Sequence, residues 1–204
     1  MARMDARIDR VAGDVNTWII GDDDEVIVID PGESAGAVLE VVGDREVAAV
    51  ICTHGHHRHV AAAFDVAKRD DAPVAVHPGD RLAWRDAHGS TQPDIDMEDG
   101  GVFEIADITL EVLFTPGHSS GSVSLYCDEL GAVFTGDAVT ANGPVAHGDF
   151  FPDFPQQLSS IGAGLLTLDG KTRILPGHGD ETTVAAVERR FDSWVSAGPE
   201  GLLG

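Results

Sequence analysis

The chain predicts an α/β fold built as a sandwich of two similar halves. Short apolar strands alternate with helices along its whole length. A strand–strand–helix–strand pattern occurs once in each half, and polar motifs bearing His or Asp recur directly after strand ends. At 204 residues, a single domain spanning residues 1–204 is expected.

The elements follow in order. Val15–Ile20 and Glu25–Ile29 are apolar, β-branched runs joined by Gly21-Asp22-Asp23-Asp24, a hairpin signal with a solvated acidic turn. Asp30-Pro31-Gly32 ends the second strand, and Ser34 is placed to cap a helix running to about Val42. Val47–Cys52 is a continuous apolar run, the pattern of a strand buried on both faces. The polar cluster Thr53–His59 comes next, then an Ala-rich helix over Val60–Lys68. Val74–Val76 reads as a strand, Asp80–Ala87 as a short helix and Gly89–Gly101 as a loop. Val102–Ile105 with Thr109–Phe114, and Ser122–Cys127 with Ala132–Thr135, form two more hairpins. Ala138–Phe154 is a long Gly-, Pro- and aromatic-containing loop, a length usually tied to function in a compact domain. Helices over Pro155–Leu168 and Thr182–Ala197 flank a strand at Arg173–Leu175, the last helix carrying Phe191, Trp194 and Val195 on one side.

Thirteen basic residues against 35 acidic ones give a net charge of −22. Nucleic acid needs cationic neutralisation of its phosphates, and anionic membrane needs the same, so neither is an expected partner. No run approaches the ~20 apolar residues of a spanning helix. The N-terminal MARMDARIDR lacks the apolar segment of a secretory signal. Two cysteines, Cys52 and Cys127, make no disulfide framework and point to a reducing cytoplasm. The expected partner is a small-molecule substrate.

Histidine carries the chemistry. His54, His56, His57 and His59 fall within six residues, directly after a buried strand, where α/β folds place their sites. His-x-His on extended backbone sets two imidazoles on one side, able to grip one cation through neutral nitrogens. Three more motifs occupy equivalent positions: Phe114-Thr115-Pro116-Gly117-His118, Phe134-Thr135-Gly136-Asp137 and Leu175-Pro176-Gly177-His178. Each places Gly before the polar residue, which permits close backbone approach. Strands lying side by side would bring all four loops to one cation.

The set THGHHRH, TPGHSSGS, FTGDA and LPGHGD resembles the metallo-β-lactamase superfamily, and within it the short glyoxalase II-like hydrolases. Asn16-Thr17-Trp18 and Val28-Ile29-Asp30-Pro31-Gly32 extend the resemblance over about residues 11–196. It implies a four-layer αββα sandwich with a metal site at one edge between two sheets. It implies His54, His56 and His118 as a first metal site, Asp137 as a bridging carboxylate, and His59 and His178 as a second. One position departs: Arg58 stands where the family carries an Asp ligand, and a guanidinium has no acceptor and keeps its proton. At ~4 Å and an effective dielectric near 20, each unit of altered charge is worth about 4 kcal/mol. One tight metal site is therefore expected, with the second weak or empty. Zinc is the expected metal; imidazole–carboxylate ligation also suits iron or manganese.

The function implied is hydrolysis of a small thioester or ester, a cation-bound water of pKa near 7 attacking the carbonyl. Arg58, His178 and Asp137 are the candidate catalytic residues, Arg58 as a fixed positive charge or a contact for a substrate carboxylate. The sequence lacks the C-terminal helical domain that longer glyoxalase II enzymes use for glutathione, which argues against that thiol. Two competing expectations are a mononuclear iron oxidoreductase like the persulfide dioxygenases, using His54, His118 and Asp137, and a catalytically impaired descendant that binds a ligand or metal.

The remaining residues have simpler readings. His57 is expected either at the surface or supporting a ligand from behind, His77 near the pocket wall and His88 as a solvated loop residue. His147, with Asn142, Phe150, Phe151 and Phe154, belongs to a loop able to cover the metal. Cys52, Cys127, Trp18, Trp84 and Trp194 read as packing or pocket wall. Ser119, Ser120 and Ser122 satisfy backbone near the ligand loop, without the Gly-x-Ser-x-Gly pattern of a nucleophile. Asp30 and Asp180 are candidates to hold the second ring nitrogen of a ligand.

Overall fold

The computed structural model describes residues 6–146 and 153–199. The first half forms one six-stranded sheet in chain order: β1 (Arg7–Val11), β2 (Thr17–Gly21), β3 (Glu25–Ile29), β4 (Glu46–Ile51), β5 (Val74–Val76) and β6 (Ile95–Asp96). The second half forms another, from β7 (Val102–Ile105) through β8 (Ile108–Phe114), β9 (Val123–Cys127), β10 (Ala132–Gly136) and β11 (Arg173–Pro176) to β12 (Thr182–Thr183). Helix α1 (Ala35–Val42), α2 (His57–Val60), α3 (Ala63–Ala67) and α4 (Arg81–His88) accompany the first sheet. Helices α5 (Phe154–Ala163) and α6 (Val184–Ala197) cover the second.

The repeated unit of the sequence is real. In β2-β3-α1-β4 an antiparallel hairpin is followed by a crossover helix and a parallel strand, and β9-β10-α5-β11 does the same. Local chemistry sets each piece. The acidic turn is closed by Asp22, whose Oδ1 accepts from the backbone N–H groups of Asp24 and Glu25, while Asp23 pairs with Arg7. Ser34 Oγ accepts from Ala37 N at the start of α1, and Asp153 and Thr183 cap α5 and α6.

Between the sheets Trp18, Ile27, Ile29, Ile51, Leu110, Leu125, Phe134 and Leu175 form one apolar cluster. Val28, Val50, Val66 and Trp84 pack outside the first sheet, and Val133, Ile161, Ile174 and Trp194 outside the second. Each sheet thus buries both faces, giving the four layers α, β, β, α. No helix among the described residues is long and apolar enough to cross a membrane.

Several boundaries differ from expectation. Strands β1, β6 and β12 are short edge strands, held by pairing partners rather than by apolar patterning. The Ala-rich helix is broken into α2 and α3, because Ala62 N–H bonds to Gly32 O instead of continuing the helical ladder. Gly164 ends α5 at Ala163, and Leu165–Thr167 form a separate 3-10 turn. On α6 Trp194 is buried and Phe191 partly so, but Val195 faces solvent, one position (about 100°) round the helix from Trp194. His147, Phe150 and Phe151 lie outside the described residues.

Candidate metal centre

Strand direction explains why distant motifs meet. β3, β4 and β5 run parallel in the first sheet. In the second, β8 and β10 each pair antiparallel with β9, and β11 runs parallel to β10, so β8, β10 and β11 share one direction. The loops after β4, β8, β10 and β11 therefore open where carboxyl ends of strands gather, the general location of ligand sites in such sheets.

Two clusters of the candidate ligands result, and Asp30, His54 and His59 form a third group of donors behind them. Donor atoms of His54, His56 and His118 lie within 4.8 Å of one another, as do those of His59, Asp137 and His178. Asp137 sits between them: its Oδ2 is 3.5 Å from His118 Nε2, 3.5 Å from His59 Nε2 and 3.2 Å from His178 Nε2. His118 Nε2 lies 3.1 Å from His56 Nδ1. Every candidate ligand named from the sequence reaches one of these clusters.

The outer ring nitrogens are tied down, which orients the inner ones. Thr53 Oγ1 gives its proton to Asp30 Oδ2 at 2.7 Å, so at 3.1 Å it accepts from His54 Nδ1. That assigns the His54 proton to Nδ1 and leaves Nε2 bare. His59 Nδ1 donates to Asp30 Oδ2 at 3.0 Å, His118 Nδ1 to Val145 O at 2.9 Å, and His178 Nδ1 to Asp14 O at 2.6 Å. Asp30 fills the role foreseen for it, at φ 50°, a left-handed conformation that Asp tolerates. Asp180 does not: it is exposed, and the rings of His59, His118 and His178 take other partners.

Electrostatics follow from burial among these groups. Burial, followed by the neighbouring imidazoles, pushes His54 well below the ordinary histidine value, keeping it neutral. Burial likewise lowers His118. His59 is also buried, but Asp137 and Asp30 outweigh that and raise it to about 10. Asp137 raises His178 by hydrogen bonding. Burial works to raise Asp137 itself, and the surrounding His59 and His178 overcome it, holding the carboxyl well below the usual range. The protein alone therefore balances the buried carboxylate with protons on the second cluster. His54 Nε2 and Asp137 Oδ1 remain buried with no hydrogen-bond partner among the described residues. Two orphaned acceptors inside a ring of imidazoles and a carboxylate fit a divalent cation.

Arg58 does not enter this ring. It is exposed on α2 and lines a cavity of about 140 Å³ with Gly13, Asp14, Gly32, Glu33 and Ser34. A solvated guanidinium outside the ring is screened, so the repulsion reckoned at ~4 Å does not apply to this arrangement. The second cluster keeps three donors without position 58.

Residues 10–189 match the family model of the metallo-beta-lactamase superfamily. The chain belongs to that superfamily. Among its relatives, an uncharacterized protein of Aquifex aeolicus is 31% identical, covering 89% of this chain and 92% of the relative. A probable metallo-hydrolase, YqgX of Bacillus subtilis, is 33% identical over 83% of this chain and 87% of its own length. A hydroxyacylglutathione hydrolase of Ectopseudomonas mendocina is 29% identical over 74% of this chain, which spans 55% of that enzyme. Among solved structures, ETHE1 from Myxococcus xanthus superposes with TM-score 0.80 at 23% identity, covering 97% of this chain and 88% of the other. The protein TTHA1623, solved in a di-iron-bound form, superposes with TM-score 0.78 at 26% identity, covering 90% and 97%. The metallo-β-lactamase fold and a possible metal site are thus established for this chain.

Other side chains take the following places. His57 is exposed beside Glu33, as expected. His77 stacks on Phe114 with ring centroids 4.6 Å apart. His88 is not a solvated loop residue: it ends α4, packs on Trp84 and Phe64, and donates from Nε2 to Val60 O. Cys52 and Cys127 are buried and free. Trp18 does more than pack, donating from Nε1 to Pro176 O, while Asn16 Nδ2 donates to Pro176 O and Gly179 O, so the Asn16-Thr17-Trp18 motif braces the His178 loop. Sequence reasoning missed Gln157, whose buried amide donates to the carbonyls of Asp137, Ala138 and Val145. It also missed the clamp formed by Asp80.

Proposed function

We propose that the chain is a metal-dependent hydrolase of a small thioester or ester. The observation carrying this reading is the pair of clusters on either side of Asp137, with His54 Nε2 and Asp137 Oδ1 left without partners among the described residues. His54, His56 and His118 would hold the tighter cation with Asp137, and His59, Asp137 and His178 a weaker one that lacks a fourth protein donor at position 58. A bound divalent cation supplies Lewis acidity toward a carbonyl and a water acidified to a pKa near 7. The chain's own residues do the rest. Asp137 Oδ2 faces three imidazole nitrogens and stays ionised, so it accepts a proton-bearing group in the space between the clusters and orients it. While the weaker site holds no cation, His178, half-buried and raised in pKa by Asp137, is the group placed to hold a proton at Nε2 on the solvent side. Arg58, free of ion pairs among the described residues, offers its guanidinium to a carboxylate on the substrate.

Zinc is the preferred metal, with iron and manganese served by the same donors. The hydroxyacylglutathione hydrolase relatives support a thioester, and the probable metallo-hydrolase relative supports hydrolysis in general. The acidic surface favours a small-molecule substrate over nucleic acid or membrane, and two free buried cysteines suit a cytoplasmic setting. The test is elemental analysis of the purified chain followed by assay against a panel of thioesters and esters, before and after chelation and reloading with zinc, iron or manganese. Turnover that vanishes on chelation and returns with metal supports the reading. Oxygen uptake with a persulfide in the iron-loaded protein, or inactivity that Arg58→Asp cures, would replace it with the oxidoreductase or the impaired descendant.

A further inference from the structure

We propose that Asp80 is a positioning residue that locks the two histidine loops of the first cluster into register. The proposal rests on the metal-centre reading above. Asp80 closes a 3-10 turn, Pro78–Asp80, directly after β5, and is only 3% exposed. Its Oδ2 accepts from Gly55 N at 2.7 Å and from Ser119 Oγ at 2.6 Å, and its Oδ1 accepts from Gly121 N at 2.6 Å. Gly55 is the residue between His54 and His56, and Ser119 follows His118. One carboxylate therefore grips both loops that supply the three imidazoles, one loop from each sheet. Charge-assisted bonds to two backbone N–H groups and a hydroxyl are the strong kind and fix direction as well as distance.

Packing supports the same role. A Cβ at Gly55 would fall 2.8 Å from Asp80 O, one at Gly121 would fall 2.8 Å from Asp80 Cγ, and one at Gly79 would fall 2.7 Å from Ser120 O. Three segments run at backbone contact around one side chain, so no other residue type has room at those glycines. The bond from Val123 N to Thr53 O joins the sheets just before His54, and beyond it Asp80 carries the connection. The second cluster uses different supports, Asp30 behind His59 and the Asp14 carbonyl behind His178. Loss of Asp80 should therefore weaken one cluster and spare the other.

The experiment titrates chelator-stripped protein with cobalt(II), following the d–d absorption, for wild type, Asp80→Asn and His178→Ala. Asparagine keeps the shape but turns an N–H group toward one of the donors. The expected result is that the binding step preserved in His178→Ala weakens by ~10–100-fold in Asp80→Asn with an altered spectrum, while far-UV circular dichroism of the metal-free protein stays that of wild type. A folded Asp80→Asn with unchanged cobalt affinity and spectrum overturns the proposal. If Asp80→Asn does not fold, the decision passes to Ser119→Ala, which removes one donor: a weakened step upholds the proposal and an unchanged one overturns it. Wild-type protein that binds no cobalt overturns the metal-centre reading, and this proposal with it.

Discussion

Replacing Gly177 by alanine tests whether the two clusters depend on the exact place of Asp137. A Cβ built at Gly177 lies 2.6 Å from Asp137 Oδ1, 2.7 Å from His59 Cε1 and 3.1 Å from the Gly136 carbonyl carbon. Ordinary van der Waals contact begins at 3.4 Å, so the carboxylate must retreat by about 0.8 Å, the difference between 3.4 and 2.6. Retreat is blocked on the other side, where Asp137 Oδ2 already stands 3.2–3.5 Å from three imidazole nitrogens. Overpacking of this kind costs roughly 1–3 kcal/mol of stability. A misplacement approaching 1 Å at a reacting centre costs on the order of 100-fold in rate. The assay is thermal melting of the metal-free protein, metal content after reloading, and turnover of whichever thioester or ester the panel selects. Gly36→Ala is the control: its Cβ meets nothing within 4 Å, and it lies inside α1, where alanine gains up to ~1 kcal/mol over glycine. Gly177→Ala protein that retains wild-type metal content and turnover would refute the reasoning, since the carboxylate would then have been free to move without consequence.

Two further predictions follow from the charges. In chelator-stripped protein, His59 titrates near 10, raised from its usual value of 6.5 by Asp137 and Asp30 against the opposing effect of burial. A raised folded pKa contributes stability that is fully present below 6.5 and is lost as pH climbs through 10, so the melting temperature of the stripped protein should fall between pH 7 and 10, and zinc affinity should rise over the same window as protons cease to compete. A melting temperature that is flat or rising there contradicts the His59–Asp137 pairing. Arg58→Asp exchanges an exposed positive charge beside His59 for a negative one, which favours a cation at the second cluster, so metal content measured by elemental analysis should move from about one equivalent toward two; wild-type protein already holding two would remove position 58 from the account.

Much of the site was legible because its signals are local. Glycine or threonine directly before a histidine or aspartate, after an apolar strand, is a short-range pattern, and Thr53–His59, His118, Asp137 and His178 were all placed by it. Asp30 could be anticipated for the same reason, as the residue ending β3. Asp80 and Gln157 carried no such mark. Asp80 reads as an ordinary helix-start residue, and its partners Gly55, Ser119 and Gly121 are 25 to 41 positions away. The carbonyls of Asp14 and Val145, which orient His178 and His118, are 164 and 27 positions distant, and a carbonyl is present at every residue, so no sequence pattern distinguishes them.

Arg58 divides the two kinds of knowledge most sharply. Its identity, and the missing acidic donor, are fixed by composition at one position. Its direction is not: α2 begins at His57, each helical residue turns about 100° from the last, and with His59 aimed inward His57 and Arg58 face solvent. The same holds for the whole centre. The linear order of residues determined which donors exist and which segments become strands and turns, because hydrogen-bonding capacity, glycine freedom and apolar runs act over a few neighbours. Only the packing of two sheets decided that Asp137 stands between two imidazole clusters and that Asp80 clips their loops together, because those distances are set by contacts between segments that the chain itself keeps far apart.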